Sequence, residues 1–153
     1  MAKTGFWAIS STRKIIFGKD GQWSADGEPI ANKRIATLFS QYLRRTPEGK
    51  YAIEIGWDKV EVEIEDTPYV VTRTTGDPAS GFTLRLNDET EEALDPATLY
   101  IGKDHVLYCR VKNGEYLARF LRPAYYQLTA HVEEDPDQKG FLLHTGDGPY
   151  VIR

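Results

Sequence analysis

The sequence has very little cysteine and no long apolar run. Cys109 is the one cysteine among 153 residues, so an intrachain disulfide is impossible and the C-x-x-C spacing of redox and zinc sites is absent. No apolar stretch approaches the roughly 18 residues of a membrane-spanning helix, and the first residues lack the apolar run of a signal peptide. These absences predict a cytoplasmic protein that does not enter a membrane.

Positive charge is not in excess either. The net charge of -4 argues against nucleic-acid binding through a broad basic surface. Hydrophobic residues make up 41% of the chain and charged residues 27%, proportions that are typical of globular proteins. A chain of 153 residues can enclose one ordinary core, so we expect one compact unit.

Changes in the spacing of apolar residues along the first half predict several strands and one helix. Glycines at 18–21 and the pair Asp26-Gly27 indicate hairpin turns after a short strand over residues 13–17. Apolar residues at helical spacing over 35–43 predict a helix that begins after Asn32 and stops before Pro47. Strict alternation over residues 59–65 predicts a half-buried strand.

The second half gives similar signals. Strands are predicted over residues 69–71, 82–86, 99–102, 105–111 and 115–121, with a loop at 75–81 and a tight turn at Asn113-Gly114. Pro123 suits the first turn of a second helix, which we expect to end at the acidic run over 133–136.

The two halves carry their turn and helix signals in the same order. The matched pairs are Phe17-Gly18-Lys19-Asp20 with Ile101-Gly102-Lys103-Asp104, Gly27 with Gly114, Arg34 with Arg122, Gly49 with Gly140, Gly56 with Gly146, and 67–71 with 148–152. On this matching the second copy lacks the strand over 57–66. The order predicts an α+β fold of internally duplicated ββαβ-type units, mostly antiparallel with one helix each. The halves are residues 1–95 and 96–153, packed as one compact unit.

Nothing in the sequence predicts catalysis, a metal or a cofactor. His105 and Cys109 lie four apart on one predicted strand and share a face, but strand geometry separates them by about 13 Å, beyond hydrogen-bond reach. Cys109 is therefore predicted to be a core residue. The histidines stand singly, outside any metal-binding motif.

Basic residues at both helix starts are unexpected, because a helix N-terminus carries partial positive charge. Lys33 and Arg34 open the first helix, and Arg119 and Arg122 precede the second. Arginine beside free backbone N–H groups would suit a phosphate or a carboxylate. The alternative is that these side chains pair with nearby acids such as Glu28, Glu65 or Asp66.

Several segments resemble one bacterial family. The resemblance is carried by residues 21–23, 27–30 and 59–71 in that order, and by residues 119–128 in the second half. The segment over 59–71 contains Glu65-Asp66-Thr67-Pro68-Tyr69. The resemblance is to the family called domain of unknown function 1285. The resemblance implies a duplicated α+β fold whose second half is pleckstrin-homology-like, and a cleft between the halves for a nucleotide-like ligand in signalling. It brings no established activity. The candidate site residues that it implies are Lys59, Glu65, Asp66, Arg119, Arg122 and Tyr125. The segment around Phe6-Trp7 falls outside the shared pattern.

These observations together predict a cytoplasmic ligand-binding or regulatory domain. Its expected partner is an anionic, nucleotide-like small molecule at the junction of the halves, held by the implied residues together with Arg34. The first alternative is a protein-interaction module that works through exposed strand edges or aromatic residues without a small ligand. An enzyme of unknown reaction is the third hypothesis.

Overall fold

The computed structural model describes residues 14–137 and 140–153. The predictions for Phe6-Trp7 and for a strand beginning at Arg13 therefore lie outside the described residues. The chain divides into two compact units, one up to Pro68 and one from Tyr69 to Arg153. The join predicted near residue 95 falls inside the second unit. That the two halves pack as one body stays a prediction.

In its described residues, 14–68, the first unit contains three strands, a helix and three further strands. They are β1 (Ile15–Phe17), β2 (Trp23–Ala25), β3 (Glu28–Pro29), α1 (Lys33–Gln41), β4 (Leu43–Arg45), β5 (Tyr51–Ile55) and β6 (Asp58–Ile64). The strands lie in the order β3-β2-β1-β6-β5-β4. Neighbours are antiparallel except β1 and β6, which run parallel.

The predicted turn at Asp26-Gly27 and the predicted N-cap of this unit are confirmed, and the predicted helix end is not. Asp26 and Gly27 both have positive φ, 52° and 86°, in the turn between β2 and β3. The Asn32 side chain caps α1 by accepting hydrogen bonds from the backbone N–H groups of Arg34 and Ile35. The helix ends at Gln41, well before Pro47, because the chain enters β4 at once and buries Leu43 there. Apolar spacing alone could not separate the last helical turn from the first residue of that strand.

The alternation predicted over residues 59–65 is also confirmed. In β6, Val62 is buried and Val60 and Ile64 are half-buried, while the charged side chains between them are exposed. The core of the unit contains packed aromatic rings. The ring centroids of Phe17 and Trp23 are 4.8 Å apart, and those of Trp23 and Phe39 are 5.6 Å apart. The indole Nε1 of Trp23 donates to Oγ of the buried Ser40 at 2.9 Å, which satisfies both polar atoms.

The second unit contains nine strands, one helix and two short 3-10 turns. The strands are β7 (Tyr69–Asp77), β8 (Gly81–Leu86), β9 (Glu91–Ala93), β10 (Tyr100–Ile101), β11 (Leu107–Val111), β12 (Tyr116–Phe120), β13 (Val132–Asp135), β14 (Gly140–Thr145) and β15 (Gly148–Ile152). The helix α2 is Arg122–Thr129, and the short turns are Pro96–Thr98 and Lys103–His105. One sheet has the order β10-β11-β12-β7-β8-β9, with β12 and β7 parallel, and β13, β14 and β15 form a small antiparallel sheet.

Two predictions for this unit are wrong. The expected loop at 75–81 is mostly strand, because β7 continues to Asp77 and pairs with β8 from Gly81 onward. Gly76 makes that pairing possible, since its φ is 109° and a Cβ would collide with the Gly81 carbonyl. The acidic run after α2 forms β13, which pairs with β14 along its whole length. The sequence does not predict this strand, because the segment has no alternating apolar residues.

The duplication is present, but each copy is a βββαβββ unit instead of ββαβ. The series β10-β11-β12-α2-β13-β14-β15 repeats the order β1-β2-β3-α1-β4-β5-β6. The first and last strands of each copy are also adjacent: Glu65 N–H donates to the Phe17 carbonyl at 2.9 Å, and Ile101 N–H to the Arg153 carbonyl at 2.7 Å. The counterpart of β6 is thus β15, so the second copy does not lack a strand. The hairpins β7 to β9 belong to neither copy.

The core of the second unit is a single buried cluster. Leu84, Cys109, Val111, Ala124, Leu128 and Leu143 are among its fully buried members. Within the described residues, neither helix is long and apolar enough to cross a membrane.

Candidate ligand-binding site

A cavity of about 390 Å³ lies in the second unit beside α2. Its apolar lining comes from Ile101 and Leu107 on β10 and β11, and from Val132, Phe141 and Ile152 on the three strands of the small sheet. Its polar lining consists of His105, Tyr125, Thr129 and Glu134. The cavity therefore combines an apolar interior with four side chains that can form hydrogen bonds.

Local geometry explains why the polar residues line the same space. Tyr125 and Thr129 are four apart in α2, so they lie on one helix face. Val132 and Glu134 are two apart in β13 and share one sheet face. Glu133, between them, belongs to the opposite face, and its Oε1 lies 3.0 Å from His144 Nε2.

The first copy has larger side chains where the second copy has the cavity. Phe17 and Trp23 are cross-strand partners in β1 and β2, and both are buried. Ile101 and Leu107 occupy the same register positions in β10 and β11, and both line the cavity. Two aromatic rings in one copy therefore correspond to two aliphatic side chains in the other. The smaller residues leave room that the first copy fills.

The turn between these strands also differs between the copies. Gly18 N–H bonds the Gln22 carbonyl at 2.8 Å, and Gly102 N–H bonds the Val106 carbonyl at 2.7 Å, so the two turns are closed by the same backbone hydrogen bond. In the first turn Gly21 has positive φ, 84°. Its counterpart is His105, with φ of 61°, which follows Asp104 with φ of 59°. A histidine at the cavity therefore stands where the first copy has glycine.

Four of the predicted site residues lie in the first unit. Arg34 is exposed in the first turn of α1, and Lys59 is exposed on β6. The Glu65 carboxylate accepts the backbone N–H of Lys19 at 2.8 Å, and Asp66 is exposed just after β6. Glu65 also lines an acidic concave surface of about 630 Å³ with Asp20 and Glu63, all of them exposed. Within the described part of the chain no basic side chain lines this surface, so its charge does not suit an anion.

The other three predicted residues lie in the second unit. Arg119 is partly buried on β12, and Arg122 is exposed at the first position of α2. Tyr125 is the member of the three that lines the cavity.

The two helix starts are not equivalent anion sites. Asn32 already accepts the N–H groups of Arg34 and Ile35 at 2.9 and 3.2 Å, so the expectation of free N–H groups at the start of α1 is wrong for these two. The start of α2 has no side-chain cap, and Pro123 has no N–H group to offer. Within the described residues, neither Arg34 nor Arg122 forms an ion pair with Glu28, Glu65 or Asp66.

Cys109 is a core residue, as predicted. Its side chain is fully buried, and burial raises the pKa of the thiol to about 12, so it is not a nucleophile near neutral pH. His105 and Cys109 do not share a strand, contrary to the prediction, because His105 lies in the 3-10 turn before β11. Among the residues that the structure describes, no group of three or more His, Cys, Asp or Glu side chains could hold a metal ion.

Sequence inspection missed most of the cavity. The signal was available in the matched turns, where Phe17 corresponds to Ile101 and Trp23 to Leu107. Only the paired strands show that these four positions face equivalent interiors.

The fold belongs to the α+β class with two similar halves, and solved structures share it. A crystal structure of a DUF1285 family protein from Silicibacter pomeroyi DSS-3 superposes with a TM-score of 0.67 at 20% identity, over 91% of this chain and 78% of that one. A DUF1285 family protein from Shewanella baltica OS155 gives a TM-score of 0.62 at 20% identity, over 79% and 94%. No family model and no curated protein matches the chain. The resemblance predicted from the sequence is thus confirmed at the level of the fold, and the family is uncharacterised.

Proposed function

We propose that the second unit binds a small, mainly apolar molecule in the cavity beside α2. The observation that carries this proposal is the replacement of the Phe17 and Trp23 pair by Ile101 and Leu107, at the positions where the cavity lies. A volume of about 390 Å³ is within the usual range of ligand pockets, about 300–1,000 Å³. The polar side chains at the lining would orient the ligand.

The charge of the lining supports a neutral or cationic ligand. Glu134 is an acidic residue of the lining, and among the residues that the structure describes neither lysine nor arginine contributes to it. A carboxylate would repel an anion that entered the cavity. This differs from the nucleotide-like ligand that the resemblance implies.

A pair of fluorescent probes tests both the site and its charge preference. N-phenylnaphthylamine is neutral and brightens in apolar surroundings, while anilinonaphthalene sulfonate has nearly the same ring system with a negative charge. We expect saturable binding of the neutral probe at one site and a higher melting temperature in its presence, because a ligand that binds only the folded state stabilises it. The sulfonated probe should bind more weakly, and Glu134→Gln should reduce the difference.

Filling the cavity provides the decisive variant. The double substitution Ile101→Phe, Leu107→Trp places the residues of the first copy into the second and should abolish binding of the neutral probe. If that variant does not fold, Thr129→Trp fills the space from the helix. The control is Tyr126→Trp, since Tyr126 is on the same helix, 62% exposed and outside the lining. Unchanged binding in a folded, filled variant would contradict the proposal.

The anionic ligand remains a separate proposal, together with a role in signalling and a pleckstrin-homology-like second half. It draws support from Arg122, which is exposed at the start of a helix without a side-chain cap. A thermal-shift series with inorganic phosphate and with nucleotides tests it, with Arg122→Ala as the variant. If no anion raises the melting temperature, or if Arg122→Ala leaves the increase intact, the anion proposal fails.

A protein-interaction module is the second class of function that we retain. Its support is Trp57, which is 96% exposed in the turn between β5 and β6. Tryptophan is enriched at protein–protein interfaces relative to the rest of the protein surface. Sedimentation velocity tests the simplest form, self-association: Trp57→Ser should lower the sedimentation coefficient at high concentration, and an unchanged monomer in both proteins would exclude that form.

A further inference from the structure

We infer that His105 is a specificity-determining residue of the cavity, whose imidazole forms a hydrogen bond with a polar group on the apolar ligand. The inference rests on the proposed function and adds to it the residue that selects among apolar molecules. It follows from three features of His105: its backbone conformation, its position in the duplication and its lack of a structural partner.

The backbone of His105 is in a conformation that disfavours side chains. Asp104 and His105 are consecutive residues with φ near 60°, where an L-residue brings its Cβ close to a carbonyl oxygen. Glycine adopts this region without that cost. Residues kept in such conformations cluster at binding sites, where the surrounding fold holds them.

The first copy shows that the turn can be made with glycine. Gly21 occupies the equivalent position with φ of 84°, between strands in the same register and with the same Gly18 to Gln22 hydrogen bond. Gly21 and His105 therefore both adopt positive φ at the same place in the turn, although Asp104 adopts it too and Asp20 does not. Only the second copy has a side chain at this position. Behind the turn that copy has Ile101 and Leu107, which are smaller than the aromatic pair of the first copy.

The imidazole does not hold the fold together. It lines the cavity, and among the described residues it makes no hydrogen bond or ion pair. Both of its nitrogens are thus available to a ligand. A neutral imidazole offers one donor and one acceptor, which suits a hydroxyl, an amide or an amine on the ligand.

The test separates strain from binding with three variants and the neutral probe, whose amine N–H is a hydrogen-bond donor. His105→Gly removes both the strain and the imidazole. His105→Asn keeps hydrogen-bonding atoms in a residue that tolerates positive φ. Asp104→Gly is the matched control, because Asp104 has the same backbone conformation and does not line the cavity.

We expect His105→Gly to keep or raise the melting temperature while the dissociation constant of the probe rises about threefold to tenfold, the effect of one lost hydrogen bond. His105→Asn should restore part of the affinity, and Asp104→Gly should leave it unchanged. Unchanged affinity in His105→Gly, or a large fall in its melting temperature, overturns the role of His105 while the cavity proposal stands. Absence of probe binding to the wild-type protein overturns both.

Discussion

Lys112 and Asp88 form the best-defined ion pair of the second unit. Lys112 Nζ lies 2.7 Å from Asp88 Oδ2 and 3.0 Å from Thr90 Oγ1, and it sits 5.2 Å from the centre of the Tyr69 ring. The Asp88 side chain is 5% exposed and that of Lys112 is 28% exposed. We expect Lys112→Met to destabilise the unit because it leaves a buried carboxylate without its cation.

The magnitude follows from what remains around Asp88. Removing one partner from a fully buried pair costs about 3–5 kcal/mol. Thr90 still donates its hydroxyl and its backbone N–H to Asp88 Oδ1, at 2.6 and 3.1 Å, and the lysine is partly solvated. We therefore expect a loss of about 2–3 kcal/mol, and a melting temperature lower by about 5–10 °C for a chain of this size.

Urea denaturation followed by circular dichroism measures this loss. The matched control is the double variant Lys112→Met, Asp88→Asn, in which a neutral amide replaces the carboxylate that has lost its lysine. It should recover at least half of the lost stability. A loss below about 0.5 kcal/mol in the single variant, or a double variant no more stable than the single one, would refute the assignment of the effect to the loss of this buried charge pair.

Three further predictions concern buried and capping groups. Trp23→Leu should lower the free energy of unfolding by about 3–5 kcal/mol, because it opens a cavity and leaves Ser40 without its indole partner; a loss under 1 kcal/mol in calorimetry would contradict the packing described. Asn32→Ala should cost about 1 kcal/mol in urea denaturation and Asn32→Asp much less, since aspartate also caps; equal losses would exclude a capping role. Cys109 should react with a thiol reagent only after denaturation, and because its folded pKa is raised from 9.0 to about 12, stability should fall as pH rises between these values; rapid labelling of the folded protein at pH 8 would overturn this.

The sequence was most informative where the backbone needs a particular residue. The turns at Asp26-Gly27 and Asn113-Gly114 were predicted correctly, because positive φ favours glycine and asparagine there. The strand over residues 59–65 was found because one face is buried and the other is charged. Such signals are local, so they survive without knowledge of the tertiary structure.

Element ends and the acidic strand could not be predicted in this way. The end of α1 depends on β4, whose buried Leu43 continues the apolar spacing of the helix. β13 depends on pairing with β14, since Glu133 and Glu134 give no apolar alternation. In both cases a partner distant from the segment decides its conformation, and local propensity is overridden.

The candidate site was only partly predictable for a related reason. The residues predicted at the helix starts are charged and do not line the cavity, and of the residues that the resemblance implies Tyr125 alone lines it. A cavity is a volume that side chains do not fill, and the amino-acid composition does not show where such a volume lies. It becomes visible when Ile101 and Leu107 are set against Phe17 and Trp23.

The duplication therefore supplies an internal control for function. Two copies whose strands pair in the same register can be compared residue by residue, so a difference in side-chain volume between paired positions is informative. Phe17 and Trp23 form a closed aromatic core in the first copy, and Gly21 completes its turn without strain. The second copy has less ring volume at the positions of Phe17 and Trp23 and a histidine at the position of Gly21, and we expect both differences to reduce its stability. Two coordinated losses of stability at one cavity are expected where binding, instead of packing, has shaped the residues.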